Sequence, residues 1–600
     1  MRGGFGGRLQ NDKEENYSLR HFNRKALKLL FRHLRPHWKT LTLASLAMLA
    51  VTFATLAAPY LSKIAVDDFI LPGDLSGLNM ILLLLLLVHG LFWLSSFLQT
   101  YLSGRIGHII VAQVRKELYR HIIGMPMSFF KKRLTGELMS RITHDVNALS
   151  ELISSGFIYF FNDLLTLAGI ITIMICLKPS LALVSFLVIP FIFFSISLLG
   201  KQMRSAYRDV REKLARLNAD VEENLSGIRL VQALNREAVN TGKFKTLSWQ
   251  NLKANLKAVS YFALLFPTMN LSRVLGEVLV LTYGGWLVIR GNITLGIVIA
   301  FLGYVRQFFA PLADLSQVYN TYQGAAAALE RIDEYLSLKP EIREKTNPVL
   351  LKEERRGEIS FQHIRFSYNG EEVIKDVHLH IPSCETLALV GPTGAGKTTL
   401  VNLLTRLYDV KEGSILIDST DIRDLSLNSL RSLISVVPQN IFLFDTTVKE
   451  NIRYGNPDAT DEEVVTAAQQ VNAHDFISRF PLGYETEVGE GGIRLSGGQK
   501  QLISFARALI SRPDIIILDE ATSSVDSYTE LLIQQALTEL LKGRTSLIIA
   551  HRFTTLERAH RIAVLNQGVI EAVGSHKTLM KENHLYKGLY QKQLLGKGST

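Results

Sequence analysis

The first half of the chain holds six segments of mostly apolar residues, each close to the roughly 20 residues that a helix needs to cross a bilayer. They lie at 41–61, 78–102, 156–177, 180–200, 262–289 and 295–317. Because lipid offers no hydrogen bonds to a bare backbone, runs of this length and composition predict spanning helices rather than a soluble fold. The predicted fold class for residues 36–338 is therefore an all-α polytopic membrane domain with six transmembrane helices.

The segments that connect these helices differ in charge. Residues 104–155 and 201–259 are long and rich in Lys and Arg, whereas residues 62–77 are short and hold Asp67, Asp68 and Asp74. The positive-inside rule predicts that the two long segments and both termini are cytoplasmic. This arrangement accounts for the net charge of +11 better than nucleic-acid binding does.

The two long basic segments show helical periodicity. Val111, Val114 and Leu118 recur at helical spacing in the first segment, as do Leu217 and Val221 in the second. Folded as helical hairpins, they would reach roughly 35–40 Å below the bilayer at 1.5 Å per residue. The sequence thus predicts long cytoplasmic extensions of the membrane helices.

Residues 1–35 are polar, basic and Gly-rich, without the apolar core of a signal peptide, and are predicted to be a cytoplasmic leader. Residues 23–36 intersperse Leu and Phe with Arg and Lys. This pattern fits either an amphipathic helix on the membrane surface or a plain lead into the first span. Cys176 and Cys384 lie in different halves of the chain, so no structural disulfide is expected.

The second half has the pattern of an α/β P-loop NTPase domain, predicted at 358–590 between a polar linker at 339–357 and a tail at 591–600. An apolar strand at 386–390 runs into a Gly-rich loop and then a helix, which is the context that a phosphate-binding loop requires. The predicted ATP-binding residues of this loop are Gly391, Pro392, Thr393, Gly394, Ala395, Gly396, Lys397, Thr398 and Thr399. The glycines let backbone amides curl around phosphates, Lys397 neutralises phosphate charge, and the Thr398 hydroxyl is suited to Mg²⁺.

A second acidic motif supports nucleotide hydrolysis. The apolar strand at 515–518 ends in Asp519 and Glu520. We expect Asp519 to hold Mg²⁺ through water and Glu520 to polarise the attacking water. An acid at the end of a buried strand is common, so the motif gains its weight from the phosphate loop that precedes it. ATP and Mg²⁺ are the expected cofactors.

Residues 495–499, Leu-Ser-Gly-Gly-Gln, resemble the signature sequence of ATP-binding cassette (ABC) proteins. The resemblance extends over nearly the whole chain, to half-transporters of the type IV exporters that move drugs or lipids. Matching motifs in the ATPase half are Tyr368, Gln439, residues 486–490, residues 523–526 and His551. Matching motifs in the membrane half are residues 129–130, 135–138, 140–141, 145–146, 227–228 and 235–237.

The resemblance implies a role for each matched residue. Tyr368 stacks on adenine, Gln439 reaches the Mg²⁺ site, and Glu520 and His551 are catalytic. The signature residues of one subunit, Ser496, Gly497, Gly498 and Gln499, contact ATP held by the other. Lys500, Val525 and Phe553 depart from the usual family residues, but none of them stands at a catalytic position.

The resemblance also implies a function. A dimer of half-transporters, either two copies or two unlike chains, would export a hydrophobic or amphipathic substrate, drug-like or lipid, across a bacterial plasma membrane. ATP closes the dimer and hydrolysis opens it, so that access to the substrate alternates between the two sides. The alternative is a nucleotide-gated channel or regulatory membrane protein on the same fold, which would often have lost a catalytic residue such as Glu520 or His551.

Several ionisable residues interrupt the apolar segments, and such residues commonly mark a cavity or a partner. Arg273 and Glu277 are spaced to pair on one helix face. Arg306 and Asp314 are the candidates for lining a substrate cavity, together with aromatic residues of the last span. Helix packing or lipid contact explains the same residues equally well.

Overall fold

The computed structural model describes residues 31–349, 356–368, 370–519, 527–550 and 556–595. The chain divides into two compact units. The first extends to Leu338 without residues 124–134, which group with the second unit. The predicted catalytic residues Glu520 and His551, the motif at 523–526 and most of the predicted leader lie outside the described residues.

The first unit is built from long helices. The helices up to residue 337 are α1 (Phe31–Ile70), α2 (Leu75–Ile123), α3 (Met127–Lys131), α4 (Thr135–Leu177), α5 (Pro179–Ser226), α6 (Ile228–Ala233), α7 (Glu237–Ile289) and α8 (Leu295–Ser337). Of these, the short helix α3 belongs to the second unit.

Five of these helices, α1, α2, α4, α5 and α7, are long and apolar enough to cross a membrane by length and composition. The sixth, α8, begins with a shorter apolar stretch, Leu295–Pro311. The helices around the two long basic segments continue past their apolar parts by roughly 30–40 Å at 1.5 Å per residue. The predicted fold class, a helical membrane domain with long extensions followed by an α/β domain, is confirmed.

An irregular turn at the end of α1 contacts the start of α8. The last residues of α1, Ala65–Ile70, form a π-helical turn that carries Asp67 to the start of α8. The Asp67 carboxylate accepts hydrogen bonds from the backbone N–H of Gly296 (2.7 Å) and the hydroxyl of Thr294 (2.5 Å). Asp67 therefore caps α8 from another helix, where a negative charge is favoured by the helix dipole.

The second unit contains one ten-stranded sheet in the order β5-β4-β1-β2-β10-β9-β3-β8-β7-β6. The strands are β1 (Ile359–Tyr368), β2 (Glu371–Ile381), β3 (Thr386–Val390), β4 (Glu412–Ile417), β5 (Thr420–Asp421), β6 (Ile434–Val437), β7 (Ile515–Asp519), β8 (Thr545–Ile549), β9 (Arg561–Asn566) and β10 (Val569–Gly574). The helices are α9 (Lys397–Leu404), α10 (Leu427–Leu433), α11 (Val448–Arg453), α12 (Asp461–Gln470), α13 (His474–Ser478), α14 (Gly497–Ile510), α15 (Ser527–Leu541), α16 (His576–Glu582) and α17 (His584–Leu595).

The parallel strands β7 and β8 separate two hydrophobic cores. Ile515 and Ile517 pack into the core that contains α9, whereas Ile516 and Leu518 pack into the core that contains α14. Successive side chains of a strand point to opposite faces of the sheet. Helices α9 and α14 therefore lie on opposite faces of this sheet.

Candidate nucleotide site

The phosphate loop follows a buried strand at the centre of the sheet. All five residues of β3 are buried, and β3 pairs in parallel with β8 on one side and β9 on the other. Gly394 and Gly396 adopt left-handed backbone conformations, with φ of +84° and +106°. A Cβ at Gly391 would overlap the carbonyl oxygen of Leu565. The loop thus needs glycine for conformation at two positions and for space at a third.

Lys397 is the first residue of α9 and is only 7% exposed. Its ammonium donates hydrogen bonds to the carbonyl oxygens of Gly391 (2.6 Å) and Pro392 (2.9 Å). Burial lowers the pKa of the Lys397 ammonium, and the nearby carboxylate of Asp519 acts in the opposite direction. The side chain is therefore folded back over its own loop, as an ammonium that neutralises bound phosphates requires.

Asp519 and Gln439 lie at the carboxyl ends of neighbouring parallel strands. Asp519 is the last residue of β7, and Gln439 follows the end of β6, with which β7 pairs. Both residues also line a mostly apolar cavity on the α14 face with Gln501, and no residue of the described phosphate loop lines this cavity. Ligands bind at this edge of open α/β sheets, so the structure brings the predicted Mg²⁺ residues to a suitable place. The Thr398 hydroxyl belongs to an exposed residue on the first turn of α9.

Tyr368 ends β1 within an aromatic cluster. Its ring makes edge contacts with Phe366 and Tyr408 at centroid distances of 4.8 and 5.2 Å. The ammonium of Lys131, in α3, lies 5.1 Å from the Tyr368 ring centroid and 5.5 Å from that of Tyr408. These distances are those of cation–π contacts. Residues 124–134 therefore contact the ring that is predicted to stack on adenine.

The predicted signature residues form the start of α14. The Ser496 hydroxyl accepts a hydrogen bond from the backbone N–H of Gln499 (3.3 Å), and the Gln499 side chain accepts one from the Ser496 N–H (3.0 Å). This reciprocal capping box fixes the turn and places the backbone amides of Gly497 and Gly498 at a helix N-terminus, which is suited to an anion. In the described residues no hydrogen bond or ion pair joins this turn to the phosphate loop of the same chain.

Arg507 is a positioning residue that the sequence motifs do not reveal. From α14 its guanidinium donates to the backbone oxygen (2.8 Å) and side-chain oxygen (2.8 Å) of Asn451 and to the carbonyl of Phe442 (3.0 Å). Asn451 is fully buried and donates in turn to the carbonyl of Phe444 (2.9 Å). Arg507 therefore ties the signature helix to the segment that follows Gln439. Its partners are mostly backbone carbonyls, which leave no sequence pattern.

The ionisable residues of the apolar segments are arranged across two helices of the first unit. Arg306 and Asp314 of α8 are both exposed within the single chain. Arg273 pairs with Glu277 on α7, and Glu277 also accepts from Arg306. The sequence favoured the first pairing, but the second joins two helices and could not be anticipated from spacing.

The comparisons with known proteins agree for both units. Residues 41–312 match the family described as the ABC transporter transmembrane region, and residues 374–523 match the family described as ABC transporter. An uncharacterized ABC transporter ATP-binding protein of Bacillus subtilis, YknV, is 40% identical over 95% of this chain and 95% of its own length. The chain belongs to the ABC transporter family.

Relatives with a more specific description are exporters. An ATP-dependent lipid A-core flippase of Syntrophus aciditrophicus is 38% identical over 94% of each chain. A putative multidrug export ATP-binding/permease protein of Bacillus subtilis, YgaD, is 33% identical over 95% of this chain. A solved structure described as a bacterial Atm1-family ABC exporter with ATP bound covers 93% of this chain and 98% of its own, at a TM-score of 0.75 and 27% identity. The chain is thus a type IV half-transporter, a multi-pass membrane protein whose ATPase domain drives export.

Proposed function

We propose that this half-transporter works as a dimer that exports a hydrophobic or amphipathic substrate, drug-like or lipid, across the bacterial plasma membrane by alternating access. The flippase and multidrug-export descriptions of its relatives support this substrate class. The long basic segments support an orientation with both termini in the cytoplasm. In addition, residues 124–134, the tip of the first long segment, group with the ATPase unit.

The observation that carries the dimer is the placement of α9 and α14 on opposite faces of the sheet. The phosphate loop leads into one helix, and the signature turn begins the other. The signature turn of the same chain therefore begins a helix on the face opposite the phosphate-loop helix, and we infer that it does not reach a nucleotide bound by that loop. A second half-transporter supplies the Ser496 hydroxyl and the glycine amides to the γ-phosphate, and the arrangement is reciprocal in a symmetric pair.

The described residues fit a nucleotide with Mg²⁺. The Thr398 hydroxyl and the Asp519 carboxylate supply the oxygen ligands that Mg²⁺ prefers, and a Cβ at Gly394 would meet nothing within 4 Å, so the loop is open there. When bound there, Mg²⁺ would neutralise negative charge on the phosphates during hydrolysis. Lys397 holds the phosphates, Gln439 reaches the metal site, and Tyr368 supports adenine. Glu520 polarises the attacking water and His551 contacts the γ-phosphate.

Complementation between two inactive chains tests the composite site. A Lys397→Met chain lacks a working phosphate loop but keeps its signature, whereas a Ser496→Arg chain has the reverse defect. In a mixture, half of the dimers are mixed, and each mixed dimer has one intact site. The mixture should then recover roughly a quarter of the wild-type ATPase rate, although each variant alone is silent.

A mixture that stays as silent as its two components would contradict a site shared between copies of this chain. The wild-type control identifies the partner. If the purified wild-type chain hydrolyses ATP alone, the partner is a second copy. If it hydrolyses ATP only when another half-transporter is added, the partner is an unlike chain.

A further inference from the structure

A three-residue charge cluster joins α7 to α8 within their apolar segments. One carboxylate oxygen of Glu277, Oε1, accepts from Arg273 on the same helix and from Nε of Arg306 on α8 (3.0 Å). Arg273 also donates to the side-chain oxygen of Asn270 through Nη2 (2.8 Å) and Nε (3.3 Å). Arg273 is therefore satisfied by its own helix, and Glu277 is shared.

The cluster carries an excess positive charge. Two guanidinium groups share one carboxylate, which leaves a formal charge of +1 (two positive, one negative). The Arg306 side chain is 64% exposed, against 16% for Glu277. Within the described part of the chain, Nη1 and Nη2 of Arg306 donate to no protein acceptor. Those two nitrogens present four N–H groups in the fork geometry that suits a phosphate or carboxylate.

The cluster lies deep in the membrane. Arg306 follows the start of α8 at Leu295 by 11 residues, and Glu277 precedes the end of α7 at Ile289 by 12 residues. At 1.5 Å per residue these positions are both about 17 Å from the helix ends, close to the middle of a bilayer core of about 30 Å. An uncompensated cation is unfavourable against lipid tails at that depth, so Arg306 faces a polar path or a ligand.

An apolar cavity lies at the same depth. Gly276 and Val305, the chain neighbours of Glu277 and Arg306, both line it. The remaining lining residues are apolar except for Ser185, and they include Met174, Phe186, Ile192 and Phe308. Gly276 packs closely against Val305, because a Cβ at this position would lie 3.1 Å from the Val305 Cγ1 atom. The cavity holds at most about one water molecule, so it marks an apolar wall at the depth of the charge cluster.

We propose that Arg306 is the anion-binding group of the transport path, and that the cargo is an anionic amphiphile with a phosphate or carboxylate head and an apolar tail. Glu277 orients Arg306 without cancelling the charge, since Arg273 offsets Glu277. The apolar tail packs against apolar residues of the membrane helices at the same depth. Lipophilic cations are disfavoured by the excess positive charge. This inference rests on the proposed export function and narrows its substrate.

The test uses the full-length chain in proteoliposomes with two labelled lipids that have the same acyl chains, anionic phosphatidylglycerol and zwitterionic phosphatidylcholine. ATP-dependent translocation should favour phosphatidylglycerol by about 10-fold, the range of one charge-assisted contact. Arg306→Gln should remove the preference, and Arg306→Lys should keep part of it. Arg290→Gln is the matched control, because Arg290 stacks on Trp286 at the end of α7 outside the cluster (4.0 Å).

A binding measurement on the solubilised protein accompanies the transport assay. Arg306→Gln should weaken binding of phosphatidylglycerol by about 10-fold and leave phosphatidylcholine binding unchanged. Inorganic phosphate at millimolar concentration should not displace the lipid, because it lacks the tail. Displacement by phosphate would instead identify a plain anion site and overturn the assignment of an amphiphile.

The outcomes separate this inference from the function on which it rests. If wild type moves both lipids equally and Arg306→Gln does the same, export stands and the anionic preference is wrong. If wild type hydrolyses ATP but moves neither lipid nor any other amphiphile, the proposed export of amphiphiles itself fails. A lowered Tm detects loss of folding in Arg306→Gln. In that case, the lipid preference of Arg306→Lys tests whether the charge at this position selects anionic lipid.

Discussion

At the residue scale, the ammonium of Lys397 donates to two backbone carbonyls of its own loop, its hydrogen-bond partners within the described part of the chain. Lys397→Met keeps most of the side-chain volume and removes the charge that stabilises phosphates. We expect the ATPase rate to fall by about 100-fold or more, in line with the loss of one preorganised electrostatic group. Lys375→Met, at an exposed position of β2, is the control and should leave turnover unchanged. Normal turnover by Lys397→Met would refute the role of this loop.

A second residue-scale prediction concerns the space at Gly391. Its added Cβ would meet the backbone of Leu565, which cannot move without disturbing the centre of the sheet. Gly391→Ala should therefore cost about 1–3 kcal/mol, the usual range for overpacking, and weaken ATP binding. Thermal unfolding and nucleotide titration measure the two effects.

The control for Gly391 is Gly543→Ala. Unlike Gly391, Gly543 has a left-handed φ of +70°, and its Cβ would meet nothing within 4 Å. It should cost about 1–2 kcal/mol through backbone strain alone and leave ATP binding intact. Equal effects of the two substitutions on ATP binding would show that the close approach at Gly391 does not matter.

The sequence predicts the parts of the site that are local in the chain. The phosphate loop and the signature turn are each read from consecutive residues, because a strand, a Gly-rich turn and a capped helix are short-range structures. The sequence does not predict the Arg306 pairing with Glu277 or the Lys131 contact with Tyr368. Such contacts depend on how distant segments pack, and no spacing rule covers them.

At the scale of elements, Arg507 connects α14 to the segment after β6. Arg507→Ala removes three hydrogen bonds, two of them to the buried Asn451, which should cost about 2–3 kcal/mol. It should also lower kcat, because the signature helix and the Gln439 segment are no longer held together. Arg512→Ala is the control, since Arg512 makes an ion pair with Glu463 at 77% side-chain exposure. A stable, fully active Arg507→Ala would contradict this coupling.

A second prediction for elements concerns the cap of α8. Asp67→Ala removes both acceptors of the bonds from Thr294 and Gly296 and should destabilise the start of α8 by about 1 kcal/mol. Asp67→Asn keeps an acceptor oxygen and should lose less. The measurement is the Tm of the solubilised protein for the two variants. If Asp67→Asn lost as much as Asp67→Ala, the negative charge rather than the hydrogen bond would be the stabilising feature.

The elements differ in how well the sequence foretells them. The membrane helices follow from apolar length, and their extensions follow from helical periodicity. The π-helical turns at Ala65–Ile70, Arg141–Asp145 and Leu152–Phe157 have no such signal. A single extra residue in a turn is selected by tertiary contacts, as with Asp67, rather than by local propensity.

At the scale of the whole molecule, α9 and α14, which carry the phosphate loop and the signature turn, lie on opposite faces of one sheet. We base the proposed dimer on this placement, and we expect the long helices of the membrane domain to couple it to transport. In the proposed cycle, ATP binding closes two ATPase domains on each other and hydrolysis releases them. The expected motion is a hinge-type change of access in the membrane domain.

The most direct test is ATP-driven movement of a labelled amphiphile in proteoliposomes that contain only this chain, beside a Glu520→Gln variant. We predict movement that requires ATP in the wild type, whereas Glu520→Gln should bind ATP but neither hydrolyse it nor move the amphiphile. ATP-dependent ion conductance without movement of any amphiphile would contradict the account and support a nucleotide-gated channel on the same fold.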